Sequence, residues 1–153
     1  MELSSNAFED GGPIPAKFSA PEENDVPPLD IRGTPTGSKS LVLIFEDIDA
    51  AIGPVTHWLL WNLPPETSYI DAVHVPDEAR SGLNGFGKAH YTGPAPPAGT
   101  HRYRFRLCAL DTTLEVGPNA WRDQVEQAMS GHVLAETTLT GYFRHEDEEE
   151  GGS

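Results

Sequence analysis

A mainly β protein, an antiparallel β-sandwich with one or two peripheral helices, is the fold class this sequence predicts. Three observations predict it. Several runs alternate apolar and polar side chains with a period of two. Turn formers are abundant, with 15 glycines and 14 prolines in 153 residues. Only one segment carries a convincing helical periodicity. At this length one domain is the default, set at residues 1–144, and the acidic stretch 145–153 is expected to be a disordered tail.

The first forty residues contain Gly11-Gly12-Pro13, Pro15, Pro21, Pro27-Pro28, Gly33, Pro35 and Gly37, and read as an extended opening with short edge strands. Residues 40–47 form the first strong strand. Leu41, Leu43 and Phe45 share a face that Asp47 continues, and Val42 and Ile44 make the other face apolar as well, which marks a central strand. A second strand, 56–63, sets His57, Leu59, Trp61 and Leu63 against Thr56, Trp58, Leu60 and Asn62, and Pro64-Pro65 stops it. From about 64 to 100 the chain is dense in Gly and Pro. That stretch is too long for mere connection and is expected to carry function or short strands.

The third strand, 101–110, puts His101, Tyr103, Phe105, Leu107 and Ala109 on one face. Arg102, Arg104 and Arg106 occupy the other face and are expected in solvent. A helix over 119–130 comes next, with Trp121, Val125, Ala128 and Met129 as its apolar stripe and Gly131 as its stop. A last strand, 133–143, closes the domain.

Composition narrows the function classes. The net charge is −14, and the body stays acidic without Glu146-Asp147-Glu148-Glu149-Glu150. Nucleic acid is excluded as a partner on this balance, because phosphate backbones need a basic footprint. Acid-rich, lysine-poor surfaces suit high salt, so a halophilic source is an expectation. Cys108 is the only cysteine, which removes an intrachain disulfide and a cysteine-based zinc site; it is expected as a packed core thiol. No leader pattern and no run of ~18 apolar residues is seen, so a cytoplasmic protein without integral membrane association is expected.

Asp47, Asp49, His57 and His101 stand at the ends of core-facing rows, where burial is costly unless they are paired. Three chemistries fit them. Carboxylates could hold the histidines cationic and make a small anion site, completed by backbone N–H groups of the Gly93–Gly99 loop. Two His and two Asp could bind a divalent metal. An Asp-His pair could act as general base for a hydrolase. Against all three stands local capping and turn formation. Pro96-Pro97 stiffens the loop as a pocket wall, and Tyr91 and Tyr103 add ring walls.

Several ordered motifs run along the chain. They are Asp47-Ile48-Asp49-Ala50-Ala51; Thr56-His57-Trp58 leading into Trp61-Asn62-Leu63-Pro64; Phe86-Gly87 and then Tyr91 through Tyr103; Leu107-Cys108-Ala109-Leu110-Asp111; and Gly131-His132-Val133-Leu134-Ala135. From Leu3 to about Arg144 they resemble the phosphatidylethanolamine-binding protein family, in its compact bacterial and archaeal branch of Raf kinase inhibitor-like proteins. The resemblance implies two packed antiparallel sheets and a small pocket for anions, including phosphate-bearing head groups. It places that pocket on Asp47, Asp49, His57, Gly93, Pro96, His101 and Tyr103, with Tyr91 beside them.

Departures from the family pattern carry expectations too. Ile48 and Ala51 replace two prolines and are expected to loosen the loop at Asp49. His90 replaces a glycine and is expected to narrow the pocket or add a cation. The expected function is a non-enzymatic binding protein that modulates a partner such as a kinase or protease. A hydrolase, Asp/His-based or metal-dependent, using the same pocket is the alternative. No catalytic residue, metal or cofactor is assigned.

Overall fold

Alternation and turn density build two antiparallel sheets, the sandwich expected from the sequence. A computed structural model of the chain describes residues 1–145. Apart from His145, the acidic tail lies outside the described residues. Strands β1 (Glu2–Ser4), β2 (Leu29–Arg32) and β5 (Tyr69–Ile70) form a small sheet in that order. The large sheet has the order β6-β4-β3-β7-β8, from Arg80–Ser81, Val55–Leu63, Ser40–Asp47, Thr100–Leu110 and Val133–Arg144. The apolar-on-both-faces strand β3 is central, as its composition demands.

The two faces of β3 meet two cores. Leu41, Leu43 and Phe45 join Phe105, Leu107, Leu29, Ile31 and Ile70 between the sheets. Val42 and Ile44 join Leu59, Trp61, Cys108, Leu110 and Val125 beneath helix α1 (Arg122–Met129). Cys108 is fully buried there, and burial pushes its thiol up to about 11.

Strict alternation fails in β4, for a specific reason. Phe45 pairs with Trp58 but Glu46 pairs with Thr56, so His57 is an extra residue in the ladder. A second offset lies between the Leu43–Leu60 and Leu41–Leu63 pairs, beside Asn62 at φ 59°. Each insertion reverses the facing of the residues beyond it. His57 therefore leaves the Leu59–Trp61 face expected for it and packs edge-on to Phe45 and Tyr103. Leu63 likewise joins the inter-sheet core with Leu60.

Two further expectations are corrected. The helix begins later than 119, because Asn119 sits in the left-handed region at φ 60°, and Trp121 is a half-exposed cap residue outside the buried stripe. The arginine face of β7 is also not simply in solvent. Glu46 is fully buried and accepts from Arg104 Nε (2.9 Å) and Nη2 (2.6 Å) and from Arg122 Nη1. Glu126 accepts from Arg122 and Arg106, and Arg106 reaches on to Glu136. This chain of charges ties α1 to β3, β7 and β8.

Candidate functional site

The inter-sheet face of β3 and β7 turns polar at one end. Asp47 continues the Leu41–Leu43–Phe45 row and pairs directly with Tyr103, two residues from His101. His101 Nδ1 donates to Asp47 Oδ2 at 2.7 Å, with side chains only 14% and 7% exposed. The β4 bulge brings His57 to the same end, its ring 5.3 Å from that of Tyr103 and His101's 6.5 Å from it. His57 Nδ1 donates to the Thr92 carbonyl at 2.7 Å, and Thr92 N returns a bond to the His57 carbonyl. Both histidines thus spend Nδ1 on these oxygens, the Gly93 backbone also lies beside the His57 ring, and neither Nε2 makes a well-formed hydrogen bond among the described residues. Tyr103 Oη is fully buried, close to the Asp47 carboxylate and the Ala95 N–H, and completes no well-formed hydrogen bond among the described residues.

Electrostatics separates the members. Desolvation lowers the His57 pKa below its ordinary value, overriding the Thr92 carbonyl and the Asp47 charge. The expectation that carboxylates hold it cationic is therefore corrected: without a ligand, His57 leans to the neutral form. Burial pushes the Tyr103 hydroxyl well above the usual phenol range, and Asp47 adds to the shift.

His57 makes stability depend on pH. Its folded pKa lies below the unfolded value of ~6.5, so the unfolded chain takes the proton first as pH falls. Stability contributed by neutral His57 is complete above that value and declines as pH drops below it. Urea midpoints measured from pH 8 to pH 5 should fall more steeply for the wild type than for His57→Gln. Equal slopes would refute the assignment.

Asp47, His57, His101 and Tyr103 come together; the other expected residues take supporting places. Asp49 is turned onto Arg102, accepting from its Nε and Nη2 at 2.9 Å each, and this pairing holds its carboxyl down to about 2. That removes Asp49 from any donor set with Asp47 and the histidines. Among the described residues, no group of three or more His, Cys, Asp or Glu is placed to hold a metal ion. Tyr91 donates its hydroxyl to the Phe18 carbonyl and stacks on Phe45, so it acts as wall. Gly93 is pressed against the Phe18–Ala20 backbone. The Pro96 carbonyl accepts from His145, and Ala95–Pro97 line a separate cleft of about 450 Å³ with Pro21 and Phe143. His90 is exposed and folds back on the Tyr91 carbonyl, so it does not narrow the site.

Two asparagines outside the expected set hold the wall in place. Buried Asn84 donates to the carbonyls of His57 and His90 and to Thr92 Oγ1, and accepts from the N–H groups of Phe86 and Lys88. Phe86, half exposed, meets the His57 ring at 5.0 Å. Asn24 binds the Tyr91 carbonyl and the Gly93 N–H. Their only signal in sequence is that Asn favours turns and side-chain-to-backbone bonds.

Comparison with known proteins decides the lineage. The family model described as phosphatidylethanolamine-binding protein matches residues 4–144. The chain belongs to this family. Among relatives of the phosphatidylethanolamine-binding protein family, a UPF0098 protein of Methanothermobacter thermautotrophicus is 44% identical, covering 94% of this chain and 99% of that one. A UPF0098 protein of Aquifex aeolicus is 36% identical over 95% and 90%. A solved structure of a phosphatidylethanolamine-binding protein homologue from Chlamydia trachomatis superposes with a TM-score of 0.89 at 37% identity, covering 94% and 97%. YbcL of Escherichia coli, described as a new member of the mammalian family, gives 0.87 at 26% identity with the same coverage. Membership supports a binding protein, and none of these names states an enzymatic activity.

Proposed function

We propose that the chain is a non-enzymatic binding protein whose Asp47–His57–His101–Tyr103 site takes a small anion, inorganic phosphate or the phosphate of a head group. The buried Tyr103 hydroxyl carries the reading, because it completes no well-formed hydrogen bond among the described residues and belongs to a ring that both imidazoles adjoin. A buried donor without a well-formed hydrogen bond costs up to about 1–3 kcal/mol, which an incoming oxygen acceptor relieves. Asp47 is engaged by His101 Nδ1 and balances its charge when Nε2 also carries a proton. A bound anion supplies the counter-charge that buried His57 lacks. Binding is therefore coupled to proton uptake, and affinity falls as pH rises. Phe86 stands half exposed against the His57 ring, where a partner such as a kinase or protease would read the site's occupancy.

Phosphate titration by calorimetry in buffers of different ionisation enthalpy tests this. The expected result is net proton uptake at pH 7 and tighter binding at pH 6. Tyr103→Phe should weaken binding roughly tenfold or more, the worth of a hydrogen bond to a charged group. Absence of binding, or binding without proton uptake that Tyr103→Phe leaves unchanged, refutes the proposal. Tighter binding by Asp47→Asn at every pH would show Asp47 to be a repelling charge.

A further inference from the structure

The described residues contain three histidines whose Nδ1 donates to an aspartate: His74 to Asp71 at 2.7 Å, His132 to Asp111 at 2.8 Å, and His101 to Asp47 at 2.7 Å. The first two lie in the open, with histidine side chains 64% and 46% exposed. Only the His101 pair is enclosed, and only it adjoins a buried tyrosine ring, that of Tyr103, against which a second imidazole also packs. A carboxylate at Nδ1 fixes the tautomer and the orientation of the ring. With the proton on Nδ1 toward Asp47, the lone pair of His101 is on Nε2. His57 is less suited to this role, because its Nδ1 faces a neutral carbonyl.

We propose that His101 is a phosphoryl acceptor, its Nε2 taking the phosphoryl group from a small acyl phosphate. The inference rests on the reading of the site as a phosphate site. As the lone pair of Nε2 forms the N–P bond, the P–O bond to the acyl oxygen breaks. The leaving carboxylate departs without needing a proton. The resulting imidazolium keeps its Nδ1 proton toward Asp47, whose charge balances it. The Tyr103 hydroxyl donates to a phosphoryl oxygen, and His57 Nε2 does the same once protonated. Positioning and charge stabilisation carry most of such a transfer, and these are what the site supplies. The product is a covalent mark on the chain, made without turnover.

Incubation of the full chain with acetyl phosphate at pH 7.5 tests the inference, read by phosphorus NMR and by peptide mass spectrometry under alkaline conditions. The expected product is an acid-labile, alkali-stable phosphoramidate on His101. It should be absent in His101→Gln and formed at least tenfold more slowly in Asp47→Asn, roughly the usual scale for losing an orienting carboxylate. Tyr103→Phe, which leaves both histidines in place, should also slow it. Labelling of His74 or His132 as fast as His101 shows mere chemical reactivity and overturns the inference, as does absence of label. Phosphate binding by calorimetry without any label sinks this inference alone; neither binding nor label sinks the anion reading with it.

Discussion

Replacing Arg104 and Arg122 together by methionine will destabilise the fold by about 3–5 kcal/mol, the cost of leaving a buried charge without its partners. Glu46 has no exposed surface, and both its oxygens are taken by these two arginines. The arginines themselves are 36% and 23% exposed, so water can accept them when Glu46 is removed, whereas nothing reaches Glu46 when they are. The asymmetry makes a sharp test. Urea unfolding should show each single substitution costing less than half of the double. Adding Glu46→Leu to the double variant should restore most of the loss, since apolar replacement of a whole buried ion cluster is often neutral or better. A double variant within about 1 kcal/mol of wild type would show that the cluster behaves as a surface pair.

Gly93→Ala will cost about 3 kcal/mol, at the upper end for overpacking, and will abolish phosphate binding. A methyl group at Gly93 would overlap the Phe18 carbonyl oxygen and lie 3.0 Å from Ala20 N. Both obstacles are backbone atoms, which no rotamer change can move. The segment carrying Thr92 must shift instead, and Thr92 holds His57 through its carbonyl. Gly117→Ala serves as control, because no atom lies within 4 Å of a methyl built there and its φ is not positive. Urea midpoints and calorimetric phosphate titration of both variants check the result. Unchanged phosphate affinity in Gly93→Ala would mean that the wall is not coupled to the site.

Much of this arrangement is legible in the residues alone. Rows that begin apolar and end in Asp47, His101 and Tyr103 state both the inter-sheet face and its polar end, because a period of two is enforced by the backbone. Alternation brings His57 to the right end of its strand and puts it on the wrong face. Its facing depends on one inserted residue, and an insertion leaves no mark on the composition of a short strand. Spacing groups Asp49 with Asp47, but a bidentate bond to Arg102 decides its direction, and that arginine comes from a strand 53 residues away. The burial of Glu46 is hidden for a similar reason: its two partners sit on β7 and α1. Pairings at long sequence separation are chosen by topology, which local periodicity does not encode.

The bulge at His57 also bears on how the site could change through descent. Side-chain exchange can alter what the embedded imidazole does, but it leaves the backbone's two-residues-against-one count untouched. Loss of a single codon there would restore an even ladder and swing the ring to the opposite side, toward the helix. The location of this histidine is therefore stored in chain length, as a phase offset between neighbouring strands. A lineage can retune the chemistry by point mutation, yet it can relocate the residue only by an insertion or deletion.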